Sequence, residues 1–81
     1  MTAHVYVTLK TSVLDPQGQT IQNALRKIGF AEVTSVRQGK YFEMALSDGT
    51  VREKALALLD EVARDVLSNP VIEDYRVEIL D

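Results

Sequence analysis

The chain has 81 residues, 46% hydrophobic and 26% charged, which fits one globular domain with no room for a second core. The absence of cysteine excludes disulfides and thiolate metal sites, and the formal charge of −3 with scattered bases argues against a sequence-independent grip on nucleic acid. A chain this short buries only about 60–65% of its unfolded surface, so a partner is the remaining source of extra stability. No apolar run approaches the ~20 residues a membrane span needs, and the N-terminus lacks a basic region followed by an apolar stretch, so a soluble, cytoplasmic protein is expected.

Residues 3–10 alternate, with Ala3, Val5, Val7 and Leu9 on one face and His4, Tyr6, Thr8 and Lys10 on the other. This is the pattern of a half-buried strand. Asp15 before Pro16 then reads as an acidic N-cap followed by proline at the first helical position, where its missing N–H costs nothing. A helix is predicted over 16–28. Its stripe is Ile21, Ala24, Leu25 and Ile28, it is expected to face the core, and Gly29 supplies a left-handed stop.

Residues 32–37 and 40–47 are strand-like, and Gln38-Gly39 between them suits a tight hairpin turn. In the second of these strands Phe42, Met44 and Leu46 form the bulky face. Thr50 and Glu53 have the spacing of a capping box and predict a second helix with the stripe Leu56, Leu59, Val62, Ala63, Val66 and Leu67. Asn69-Pro70 ends it, because the residue before proline avoids the helical region. Residues 71–80 alternate Tyr75, Val77 and Ile79 with Arg76 and Glu78 and complete the order β-α-β-β-α-β. The expected fold is therefore α+β: a single domain over 1–81, with a four-stranded, mainly antiparallel sheet and two helices on one face. The opposite face, carrying His4, Tyr6 and Thr8, invites cover by another subunit, and a homodimer or tetramer is expected.

The residue types for self-sufficient catalysis are not assembled. His4 is the single histidine, no cysteine exists, and no serine sits in a nucleophile elbow. Metal binding lacks a helical histidine pair and a calcium loop. An anion at the N-terminus of the first helix would compete with Asp15, and neither a P-loop nor a GxGxxG turn is present. Asp60, Glu61 and Asp65 read as a solvated helix face rather than an acid–base pair. Arg37-Gln38-Gly39-Lys40 is either a solvated turn or a projecting basic tip offered to an acidic surface or to a phosphate-bearing substrate held by a partner.

Taken together, Val7-Thr8-Leu9-Lys10, Val13-Leu14-Asp15-Pro16-Gln17-Gly18, Val36-Arg37-Gln38-Gly39-Lys40 and the run from Leu67 through Asn69-Pro70 to Tyr75 resemble the PurS family, the small subunit of bacterial phosphoribosylformylglycinamidine (FGAM) synthase. The resemblance covers essentially the whole chain. It implies a share in de novo purine synthesis, in which formylglycinamide ribonucleotide, glutamine and ATP give formylglycinamidine ribonucleotide, glutamate, ADP and phosphate. It further implies a glutaminase subunit that releases ammonia, a large synthetase subunit that uses ATP and Mg, and a small subunit that helps to join them without catalysing or binding a cofactor itself. Partner contact is expected at Lys10, Gln17, Arg37 and Lys40, whereas Asp15, Pro16, Gly18, Gly39, Asn69 and Pro70 read as structural. The alternative is a small ligand-binding regulatory module of the same β-α-β-β-α-β order, since fold order alone does not fix function. A stand-alone dimeric α+β enzyme is the third reading.

Overall fold

The first strand, β1 (Thr2–Leu9), is the centre of the molecule, and in the computed structural model, which describes residues 1–80, every other strand is built on it. β2 (Gly39–Ala45) and β3 (Glu73–Leu80) flank it, both antiparallel, in the order β2-β1-β3. The register sets Val5 between Phe42 and Val77, and Ala3 between Met44 and Ile79. One face of the sheet is thus continuous hydrocarbon, as the period-2 pattern requires. Ala3, Val5 and Val7 are wholly buried on that face.

It is covered by α2 (Arg52–Val62) and the single π-helical turn that prolongs it, Ala63–Leu67. The side chains that meet the sheet are Ala55, Leu59 and Ala63, spaced four apart, with Leu67 packed beside them. The stripe is therefore rotated from the one predicted. Val66 is 74% exposed and Leu56 also faces outward, because two alanines let the helix axis approach the sheet closely while Leu59 fills the space between them. Ser68 caps the π turn by donating to the Ala63 carbonyl at 2.7 Å, and Asn69-Pro70 follows where a stop is expected.

Four further expectations need correction. The sheet has three strands, not four: residues 32–37 form no strand and run directly into β2. Gln38-Gly39 makes no hairpin turn, since the positive-φ glycines are Gly29 and Gly49 alone. Glycine at 39 answers a different demand, for a Cβ there would lie 2.4 Å from the Val7 carbonyl oxygen on the adjacent strand. The Thr50–Glu53 capping box does not form. Val51 is the N-cap, without a side-chain bond, and the Thr50 hydroxyl donates to the Ser47 carbonyl at 2.7 Å in the preceding turn.

The last correction concerns α1 (Pro16–Lys27). It begins and ends as predicted, with Asp15 at its N-cap, Pro16 in its first turn and Gly29 at φ +104° beyond its end. It does not lie on the sheet. None of its residues joins either buried cluster, and Gly18 is the one buried residue within it. The two helices therefore do not share one face, and the molecule is drawn out to 50 × 27 × 14 Å.

Candidate interaction site at the strand-to-helix end

The three motif-bearing loops meet at one end of the sheet. Asp15 organises them. The residue is 8% exposed, and its carboxylate accepts two backbone N–H groups: Oδ1 takes that of Gly18 at 3.0 Å, and Oδ2 that of Gln38 at 2.8 Å. The first bond caps α1, and the second ties α1 to the residue before β2. These bonds, Gln38 foremost, hold the Asp15 carboxyl below the usual carboxylate range. The cap expected from sequence is present; its second partner, 23 positions away, could not be read from local spacing.

Arg37 forms a second clasp. Nη2 donates to the carbonyls of Leu9 and Lys10, both at 2.7 Å, and Nη1 approaches the Val13 carbonyl at 3.5 Å. The guanidinium fork thus joins the end of β1 to the β1–α1 loop, where the Lys10 carbonyl also accepts the Val13 N–H at 2.9 Å. Gln17 and Gln38 are hydrogen-bonded through their side-chain amides, and Gln22 donates to the Thr34 carbonyl at 2.7 Å. Gly18 permits the approach: a Cβ there would sit 2.3 Å from the Val36 carbonyl oxygen.

Lys10 and Lys40 remain peripheral. Lys10 Nζ lies 4.0 Å from Asp74 and Lys40 Nζ 3.8 Å from Glu73, so their stems and charges border the acidic start of β3. Asn69 shapes that start: its carbonyl accepts the Glu73 N–H at 2.8 Å and its Oδ1 that of Val71 at 3.1 Å, while Glu73 returns a bond to the Asn69 N–H at 2.7 Å. All four residues expected to contact partners, Lys10, Gln17, Arg37 and Lys40, therefore lie around this one end. Two concavities flank the clasps. One, of about 370 Å³, is lined in part by Ser12, Asp15, Gln22 and Arg37, and the other, of about 190 Å³, by Asp15, Gln17, Lys40 and Glu73.

The chemistry of this end is that of a joint. Asp15, Gln17, Gln22, Arg37 and Gln38 are bonded to one another or to nearby backbone groups, and among the described residues no three His, Asp or Glu side chains converge on a point that could hold a metal ion. Nor does the acidic grouping on α2 form an acid–base pair. Asp60 accepts the Tyr75 hydroxyl at 2.7 Å, which pushes the tyrosine's pKa up, and Arg64 reaches both Asp60 and Asp65. On the uncovered sheet face His4 meets Tyr6 and Tyr41 edge-on, the two tyrosine rings lie tilted with centres 5.3 Å apart, and the Arg76 guanidinium is 4.3 Å from the Tyr6 ring centre. That Arg76–Tyr6 contact crosses from β3 to β1 and escaped the sequence reading. Alternation alone places the two residues on one face but does not set the register.

The family model for PurS, phosphoribosylformylglycinamidine (FGAM) synthase, matches residues 2–81. The chain belongs to the PurS family. It is 46% identical over 76 residues to the phosphoribosylformylglycinamidine synthase subunit PurS of Bacillus subtilis, covering 93% of this chain and 87% of that one. To the Mycobacterium leprae subunit it is 44% identical over 75 residues, with 93% and 90% covered. Among solved structures, Bacillus subtilis PurS superposes with a TM-score of 0.82 at 42% identity over 99% of this chain and 98% of that one. A chain of the PurLQS structure from Thermotoga maritima gives 0.87 at 30% identity, covering 98% and 95%. Among the described residues no helix is long and apolar enough to cross a membrane.

Proposed function

We propose that residues 1–81 act as one unit, the small non-catalytic subunit of FGAM synthase, which holds the glutaminase and synthetase subunits together while ammonia passes between them. The observation that carries this reading is the family match from end to end, combined with a structural relative described as part of PurLQS. Ammonia released into water would be protonated and lost, so a docked state must persist through transfer, and a rigid subunit bound at the junction stabilises that state by mass action. ATP and Mg belong to the synthetase in this scheme, and the assembly is cytoplasmic. The subunit itself self-associates as a dimer or tetramer.

Lys10 and Lys40 are the residues of choice for direct contact, because each has a charged head at the surface and only a marginal internal partner. Gln17 and Arg37 support the same surface, Arg37 by fixing the loop on which Lys10 stands. The test is reconstitution with the cognate large and glutaminase subunits, ATP, glutamine and formylglycinamide ribonucleotide. Glutamine-dependent product formation should require the chain, and the three subunits should co-migrate. Equal rates with and without it would sink the proposal. Reversing charge at Lys10 and Lys40 should weaken co-migration, increasingly so at low salt, and leave the fold intact.

A further inference from the structure

The face of the sheet turned away from α2 contributes no residue to either buried cluster. Alternation and register set its side chains in rows across β2, β1 and β3: Glu43, His4 and Glu78 form one row, and Tyr41, Tyr6 and Arg76 the next. On the β3 side of this face a guanidinium is already held. Arg76 lies 4.3 Å from the Tyr6 ring centre, and its Nη1 is 3.5 Å from a Glu78 carboxylate oxygen. The negative face of the ring and the carboxylate take the same cation from two directions.

The β2 side repeats the holder without the guest. Tyr41 stands beside Tyr6 with ring centres 5.3 Å apart, and its hydroxyl donates to Glu43 Oε2 at 3.1 Å. Tyr41 is 51% exposed and Glu43 is exposed as well. Among the described residues no cation pairs with Glu43, whereas the other two carboxylates of this face have neighbours: Glu78 has Arg76 and His4, and Asp74 has Lys10. We propose that Tyr41 and Glu43 are the seat for an arginine of a partner subunit of the FGAM synthase assembly, which docks on the open face of the sheet through a basic segment. The proposal rests on the subunit role stated above and gives it a second surface.

The guest is arginine because a planar guanidinium stacks on a tyrosine ring while it bonds a carboxylate at its edge, which the point charge of lysine does not do. Tyrosine and arginine are also the residues that dominate protein interfaces. Charge complementarity assigns the guest to another subunit. A chain that joins two different proteins needs surfaces of different chemistry, and here a lysine-bearing end suits an acidic patch while the tyrosine–carboxylate face suits a basic one. A second copy is poorly equipped to supply the guest. Of the five arginines in the sequence, Arg37 is bound to carbonyls, Arg64 to Asp60 and Asp65, and Arg76 to Tyr6 and Glu78, while Arg52 has a partner of its own, which leaves Arg26.

The test measures the affinity of the full chain for the cognate synthetase and glutaminase subunits. Tyr41→Leu removes the aromatic face and Glu43→Gln removes the charge, and because both positions are exposed the far-UV circular dichroism and urea midpoint should not move. Each should raise the Kd for the assembly about tenfold, and Glu43→Lys should raise it further. Glu61→Lys, the same charge change on an exposed position of α2, should stay within about twofold. Irradiation of the complex carrying Tyr41→benzoylphenylalanine should join the chain to an arginine-bearing segment of one other subunit. Unaltered affinity in Tyr41→Leu and Glu43→Gln, an equal loss in Glu61→Lys, or a cross-link to a second copy would each overturn the proposal. The unaltered chain tests the subunit role separately. If it neither co-migrates with the other subunits nor is required for glutamine-dependent synthesis, the role fails and this surface with it; if it is required and the variants bind as tightly as it does, the surface alone fails.

Discussion

The body of the molecule, sheet plus α2, and the arm, α1 plus residues 28–38, are stabilised by different physics. In the body the side chains of three strands and a helix share one hydrocarbon layer, and Leu59, 2% exposed, lies at its middle. The arm has no such layer. It is held by a carboxylate, a guanidinium and the Gln22 amide acting on backbone groups and by the Gln17–Gln38 side-chain bond, while Ile21, Ile28 and Phe30 are exposed. Burial without direction fixes the body, and directed polar bonds without burial fix the arm. The contrast teaches that an amphipathic stripe announces that something will cover a helix, not that the same chain will do so.

Substitutions separate the two regimes. Leu59→Ala should produce the largest loss, about 2–5 kcal/mol in urea unfolding, because the cavity beneath α2 cannot collapse against a sheet. Gly18→Ala comes next, at about 1–3 kcal/mol, since its Cβ would overlap the Val36 carbonyl. The same change should raise hydrogen exchange in residues 34–38 while sparing β1 and β3. If Leu59→Ala and Gly18→Ala loosened body and arm alike, the division into two regimes would be wrong.

Acid should act on the arm through Asp15. The Asp15 pKa is lowered on folding, so its contribution is fully present above its unfolded value of 3.8 and is lost as pH falls through the lower folded value. Asp15→Asn should therefore flatten the acid limb of stability below about pH 4. An unaltered limb, followed by urea midpoints across that range, would assign the acid sensitivity to other carboxylates. Lys40→Met should have the smallest effect, within about 0.5 kcal/mol, because its pairing with Glu73 is exposed and long. Any consequence of that change should appear in association with partner subunits and not in unfolding.

Much of the fold was legible in the sequence because its determinants are local or periodic. The faces of β1 followed from alternation, the ends of α1 from Asp15-Pro16 and Gly29, and the close of α2 from Asn69-Pro70. Errors arose where a local motif had a stronger competitor. Thr50 bonds within its own turn instead of capping, and Gly39 is glycine because β1 crowds it, not because the chain reverses there. The stripe of α2 was rotated because alanine carries little hydrophobic weight in a pattern but allows the closest approach. Residues 32–37 have strand character without a strand partner in the same chain, which no local reading reveals. At the site, residue types were legible but partners were not: Arg37 looked like a projecting cation and proves to grip carbonyls more than twenty positions earlier.

The double use of Asp15 has a kinetic consequence. One carboxylate protects the Gly18 and Gln38 amides, so rotation of a single side chain exposes both at once. Their protection against hydrogen exchange should rise and fall as one quantity across pH and partner binding, which makes this pair a built-in reporter of whether the arm is fastened.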